Sequence, residues 1–176
     1  MTDPGRTQPA TDDASSYELF LSHSHADADL VLHIAGQLDE LSVKVFLDQW
    51  ELAPGKGAKE LAAAMSASGA IAVFLSGSSV GLWHIEEAYQ ALVLAVEHGT
   101  PAFFVWLPGS DPAAPPPDMP TWLQSRGRVV VRQLTDGGLA DRELGLLVAA
   151  AWDRTPRQIE KWLAERRVAP PRRSIG

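Results

Sequence analysis

Residues 70–75 read Ala70-Ile71-Ala72-Val73-Phe74-Leu75, six apolar residues in succession. A strand covered on one face alternates apolar with polar residues. A strand covered on both faces is apolar throughout, and that is the state of a strand at the centre of a parallel sheet. Upstream, residues 17–22 (YELFLS) and 43–47 (VKVFL) have the length and composition of two further strands. Downstream, residues 101–106 (PAFFVW) and 129–132 (VVVR) supply two more.

Helical segments separate these runs. Residues 26–41 set Leu30, Ile34, Leu38 and Leu41 on one stripe, with Asp27 and Asp29 in the first turn, where a carboxylate complements the helix dipole. Residues 58–68 are alanine-rich, and residues 84–98 turn Ile85, Ala88, Tyr89, Leu92, Val93 and Val96 inward. Residues 121–125 form a helical turn, residues 139–152 a helix, and residues 156–167 another with Ile159, Trp162 and Leu163 as its stripe. Strands alternating with helices predict an α/β fold of flavodoxin-like type, in three layers. It has a five-stranded parallel sheet with helices on both faces, joined by right-handed crossovers. Ligands in such folds sit at the carboxyl ends of the strands. Residues 22–26, 48–57 and 76–83 must lie on that edge, and each segment is polar or rich in Gly and Ser.

Residues 1–16 are rich in Pro, Asp, Thr and Ser and predict a disordered leader. The domain spans residues 17–152, and residues 153–176 form a C-terminal helix with a basic tail or linker. Residues 107–120 hold six prolines without periodicity and predict a long exposed loop. No internal repeat is visible.

The 176 residues carry a net charge of −7, unevenly spread. Residues 151–176 hold seven basic and three acidic side chains, +4 in all, which leaves −11 on residues 1–150. An acidic body argues against nucleic acid as a partner, because phosphate neutralisation needs a basic face. The basic tail reads first as a solvated helix or linker, and only second as a contact for an acidic partner. Without cysteine there are no disulfides, thiolate nucleophiles or cysteine-ligated zinc, which suits a cytoplasmic location. The N-terminal residues show no signal peptide, and no apolar run reaches the ~18 residues of a membrane span.

Several motifs bear on chemistry. Trp83 and Glu87 stand four residues apart at a helix start, on one face, so an indole and a carboxylate can flank a planar ring. A glutamate in a first helical turn also complements the dipole without further role. Ser22-His23-Ser24-His25 suggests a metal site or a nucleophile. No second cluster has metal-ligand spacing, no nucleophile elbow surrounds either serine, and helix capping by Ser24 accounts for the run as well. Pro54-Gly55-Lys56-Gly57 lacks the order of a phosphate-binding loop, and no Gly-x-Gly-x-x-Gly follows the first strand. Trp50 and Leu52 on the same loop face either a partner or the core.

Together the pieces resemble a Toll/interleukin-receptor (TIR) domain. The first box is Tyr17-Glu18-Leu19-Phe20-Leu21-Ser22-His23-Ser24. The second is Val45-Phe46-Leu47-Asp48 followed by Leu52-Ala53-Pro54-Gly55, which corresponds to the family's BB loop. The third is residues 70–76 followed by Trp83-x-x-x-Glu87. The resemblance spans residues 17–152, and the wording of residues 48–55 is most similar to bacterial members. It implies cleavage of the nicotinamide–ribose bond of NAD+, with NAD+ as substrate and neither a further cofactor nor a metal. Glu87, rather than Glu86, falls on the family's catalytic position. Trp83, Phe20, Ser22 and Ser79 are the implied substrate contacts, and Trp50, Leu52, Pro54 and Gly55 the implied BB-loop assembly residues. Two departures stand out: Gly81 and Leu82 precede Trp83 where the family often has a nearer serine, and His84 follows it. The nearest serine, Ser79, is four residues back, and His84 reads as a neighbour of substrate or as a surface histidine.

Two functions follow from the resemblance. One is an NAD+ glycohydrolase switched on by self-association through TIR–TIR contacts, in bacterial signalling or antiphage defence, with a sensor module in the same or another chain. The other is a non-catalytic scaffold for homotypic contacts. A receiver-like domain is a third and poorer fit, since its phosphoacceptor Asp would end the third strand, where this chain has Leu75-Ser76.

Overall fold

The computed structural model describes residues 17–49, 58–77, 86–115, 117 and 119–168. Five strands form one parallel sheet: β1 (Tyr17–His23), β2 (Val45–Gln49), β3 (Ser68–Leu75), β4 (Ala102–Trp106) and β5 (Gly127–Val130), in the order β2-β1-β3-β4-β5. Around it lie α1 (Ala28–Glu40), α2 (Ala58–Ser66), α3 (Glu86–Glu97), α4 (Thr121–Gln124), α5 (Asp141–Ala151) and α6 (Pro156–Val168). A short hairpin, β6 (Leu134–Thr135) with β7 (Gly138–Leu139), precedes α5.

The direction of each crossover decides its face. The step from β1 to β2 runs one way along the sheet, and every later step runs the other way, so right-handed connections place α1 opposite α2, α3 and α4. Side-chain alternation follows suit. Leu19, Leu21, Ala70, Ala72, Phe74, Phe103 and Val105 pack with Val31, Ile34 and Leu38 of α1, with Leu144, Leu147 and Val148 of α5, and with Ile159 and Leu163 of α6. Phe20, Ile71, Val73, Leu75, Phe104 and Trp106 pack with Leu61 and Met65 of α2, Ala91, Leu92 and Ala95 of α3, and Leu123 of α4. The run at 70–75 is apolar because both faces of β3 are covered, and its residues are at most 3% exposed.

The expected α/β layout is the one observed, with changes at its ends. β3 starts at Ser68, and its pairing with β1 begins where Ser68 meets Tyr17. The fifth strand is Gly127–Val130 rather than 129–132, because Gly127 pairs with Phe103 and this register puts Val129 opposite Val105. Val129 and Val131 stay buried, and the alternate Val130 is 39% exposed. The last long helix of the domain starts at Asp141 rather than 139, because residues 138–139 are held in the hairpin. Its turn residues Asp136 (φ 50) and Gly137 (φ 79) are both left-handed, as a two-residue hairpin turn requires. The Gln37 amide fastens the hairpin to α1, donating from Nε2 to the Leu139 carbonyl (2.8 Å) and accepting the Leu139 N–H at Oε1 (2.9 Å). α6 lies against α5, and the Trp152 and Trp162 rings meet edge to face at 4.8 Å. Among the described residues no helix is long and apolar enough to cross a membrane.

Candidate functional site

Where a sheet's crossovers change direction, the two chains leaving neighbouring strands diverge and open a crevice at the carboxyl edge. In this order the change falls between β1 and β3. The exits of β1 and β3 flank it, and α3 follows β3 in the chain.

The β1 exit is closed and tightly bonded. Ser22 pairs in register with Asp48 of β2 and Val73 of β3. Alternation turns Ser22 toward the α2 and α3 side with Phe20, and His23 toward α1 with Leu21. Ser22, His23, Ser24 and Asp27 are all buried. The Ser24 hydroxyl donates to Asp27 Oδ2 at 2.8 Å, and the Asp27 N–H donates to the Ser24 carbonyl at 3.1 Å, across a single 3-10 turn at His25–Asp27. The buried Asp27 carboxylate thus has a hydroxyl donor, which offsets the cost of removing it from water. Ser24 precedes the turn, as a capping residue would. Its hydroxyl goes to a carboxylate and not to a backbone N–H, which corrects the capping expected of it.

The β3 exit is held from outside. The Leu75 carbonyl accepts the Leu107 N–H (2.8 Å) and the Ser110 hydroxyl (3.2 Å), and the same hydroxyl donates to the Leu107 carbonyl (2.6 Å). Beyond it the Gly77 backbone presses on Gly109: a Cβ built on Gly77 would lie 2.5 Å from the Gly109 carbonyl oxygen. Gly109 itself has φ +93, a conformation costly to any other residue. A cavity of about 340 Å³ opens on this junction, lined among others by Ser76, Gly77, Trp106, Ser110 and Asp111. Residues 107–115 are therefore docked to the sheet edge at their start rather than exposed throughout, and Leu107 is 1% exposed.

The residues singled out by sequence divide into three groups. Glu87 is the second residue of α3, so its backbone stands in a first helical turn on the carboxyl side of β3; its side chain lies outside the described atoms. Ser79 and Trp83, and Trp50, Leu52, Pro54 and Gly55 of the BB loop, lie outside the described residues. Phe20 and Ser22 are described. Phe20 was expected to flank substrate, but its ring is fully buried and stacks on Phe46 at 5.2 Å and 23°. It sits three residues before the end of β1, too deep in the sheet for the edge, and it is a core side chain. Ser22 is on the same face nearer the edge and is 1% exposed. Among the described residues no group of three or more His, Cys, Asp or Glu could hold a metal ion. Ser110, Gly77 and Gly109 carry no signal in the order of elements. The Pro-Gly-Ser turn at 108–110 is the signal that marks them.

The TIR domain family profile matches residues 19–146, most of the chain and every strand of the sheet. The chain belongs to the TIR family. No curated protein sequence matches it closely. Among solved structures it is similar to the TIR domains of the activated Roq1 resistosome that recognises the effector XopQ. The identity is 24%, the match covers 56% of this chain and 61% of that one, and the TM-score is 0.43. A flavodoxin-like domain from Synechococcus is similar at 14% identity over 84% of this chain and 99% of that one, TM-score 0.45. Vibrio vulnificus NanR in complex with ManNAc-6P is similar at 16% identity over 85% and 54%, TM-score 0.39. The TIR assignment stands on the family profile, and the fold on strand order and register.

Proposed function

We propose that this TIR domain, when self-associated, cleaves NAD+ to nicotinamide and ADP-ribose with Glu87 as its catalytic carboxylate. The observation that supports this reading is the position of Glu87 in the first turn of α3, the helix that follows β3 in the chain. Nicotinamide is cationic in NAD+ and departs as a neutral ring when its bond to the ribose breaks, so no acid is needed at the leaving group. Positive charge develops at the anomeric carbon, and one carboxylate can hold the ribose hydroxyls and stabilise that charge. Water attacking the same carbon gives ADP-ribose and releases a proton; the adenine ring as acceptor gives a cyclic product instead. In this reading Trp83 stacks on the nicotinamide and Ser79 and Ser22 supply polar contacts. Residues Trp50, Leu52, Pro54 and Gly55 make the contact between copies. The protein works in the cytoplasm in bacterial signalling or defence, coupled to a sensor module.

A second reading, a scaffold without catalysis, is favoured by the closed β1 exit, where Phe20 and Ser22 have almost no access to solvent. One experiment separates the two: incubate concentrated protein with NAD+ and follow nicotinamide release. The enzymatic reading expects release from wild type and none from Glu87→Ala. No release from wild type in an assembled state, or equal release from the variant, leaves the scaffold.

A further inference from the structure

We propose that the outer end of the sheet, where β4 meets β5, holds a second ligand site, one that takes a nucleoside diphosphate by its phosphates. The inference does not rest on Glu87, since β4 and β5 lie on the far side of β3 from the crevice between β1 and β3. Between Lys59 and Arg142 the sequence has only Arg126, Arg128 and Arg132 as lysine or arginine, all in or beside β5. In a body of net −11 over residues 1–150, this is a local reversal of charge. Arg126 and Arg128 both line a cavity of about 220 Å³, together with Phe104, Trp106, Pro112 and Pro115. Register sets Arg128 beside Phe104 of β4. Among the described residues neither guanidinium has a carboxylate partner. Two like charges held two residues apart repel, and an anion between them relieves that repulsion.

Arg126 is held in place before any ligand arrives. Its guanidinium lies over the Trp122 ring at 5.4 Å, and the Trp122 Nε1–H donates to the Tyr89 hydroxyl of α3 at 3.3 Å. A stacked guanidinium keeps its N–H edge free, and that planar edge matches two phosphate oxygens. Arg128 adds a second fork roughly 6–7 Å along the chain. One phosphate fits one fork; two forks at this spacing suit a diphosphate. Room for the rest of the ligand adjoins. The cavity of about 340 Å³ beyond the ends of β3 and β4 shares Trp106 and Pro115 with this one. The arginine cavity alone falls short of the roughly 300 Å³ at which small-molecule pockets begin, and the two joined reach that class. The second cavity offers Ser76, Ser110 and Asp111, groups that hydrogen-bond sugar hydroxyls. The Asp111 carboxylate also repels phosphate, so the ligand is oriented with its phosphates on the arginines and its sugar toward Asp111.

The test is calorimetric titration of the whole chain with ADP, inorganic pyrophosphate and adenosine, in wild type, Arg126→Ala, Arg128→Ala and Arg142→Ala. Arg142→Ala removes the same charge from α5, on the opposite face of the sheet, and is the control. Arg128 is exposed, so its truncation leaves the fold intact, and thermal midpoints without ligand are taken in parallel for all variants. Wild type should bind ADP at least about tenfold more tightly than pyrophosphate, and adenosine far more weakly than either. Arg126→Ala and Arg128→Ala should each weaken ADP by about tenfold or more, and Arg142→Ala by less than about twofold. Unchanged ADP affinity in both cavity variants overturns the inference, because the nucleotide then sits elsewhere. So does a wild type that binds no ADP, adenosine bound as tightly as ADP, or an equal loss in Arg142→Ala, which would mark a general effect of charge. ADP no tighter than pyrophosphate overturns the placing of the nucleoside in the second cavity. Nicotinamide release enters none of these readings, so the Glu87 reading and this one stand or fall separately.

Discussion

The two faces of the sheet are built alike, but the candidate residues are not shared evenly between them. Beneath one face, α1, α5 and α6 close a continuous apolar cluster running from Leu19 to Leu163. The hairpin β6–β7 is fastened to it through Gln37. Beneath the other, α2 and α3 close a smaller cluster around Phe20, Ile71 and Phe104. Every candidate residue outside the β1 exit belongs to a segment entering this second layer: 50–55 leads into α2, and 79–87 leads into α3. The cause is topological. Helices α2 and α3 on the second face are reached from the carboxyl ends of β2 and β3, and these ends flank β1 at the switch point. Under the proposed function the first face carries stability alone, while the second carries stability and presents the site.

The largest expected effect tests the second face. Glu87→Gln removes the negative charge and keeps the volume, so nicotinamide release should fall by about a hundredfold or more while the thermal midpoint stays put. A midpoint that drops with activity would mean the carboxylate serves the fold, as a dipole-matched residue would. Next comes a matched pair. Leu147→Ala in α5 and Leu92→Ala in α3 each empty a fully buried site and should each cost about 2–5 kcal/mol in urea unfolding. Per folded molecule, Leu147→Ala should keep its kcat, whereas Leu92→Ala, five positions beyond Glu87 on the same helix, should lose part of it. Equal kcat in the two would erase the distinction between the faces.

Much of this division was legible in the sequence, because it follows from element order. Uninterrupted apolar residues at 70–75 gave a central strand, alternating strands and helices gave the layers, and the apolar stripe over 84–98 gave the helix that contains α3. What stayed hidden depends on pairing. The contacts of Ser110 with Leu75 and of Gly77 with Gly109 exist only because β3 and β4 lie side by side in one register. Phe20 read as an edge residue because its box sits at a strand end; only the packing of its ring against Phe46 shows it to be core. The hairpin had a local signal, Asp136-Gly137, but its arms are two residues each, too short to read as strands.

A smaller effect tests whether the first face is a scaffold only. Gln37→Ala leaves the Leu139 N–H and carbonyl without their side-chain partners in a part-buried setting, and should cost about 1–2 kcal/mol. Faster hydrogen exchange at the Leu139 amide, with nicotinamide release unchanged, is the expected pattern. Altered release would mean that the hairpin communicates with the opposite face.

The smallest effect lies at the turn between α1 and β2. Ser42 has φ 60, and its N–H donates to the Asp39 carbonyl at 2.8 Å while Val43 returns to the Leu38 carbonyl at 3.0 Å. The helix thus ends by a left-handed residue, which glycine adopts freely and serine at a cost of about 1 kcal/mol. Glycine also gains unfolded-state entropy, roughly 0.5–1 kcal/mol, which opposes the benefit. Ser42→Gly should therefore stabilise by no more than about 0.5 kcal/mol, and Ser42→Val, with a branched carbon in a left-handed position, should destabilise by more than about 1 kcal/mol. Both are read from urea midpoints at constant slope. Because α1 feeds only the first face, neither change should move kcat; a shift in kcat from either would show that β2, and the segment leaving it, takes its position from this turn.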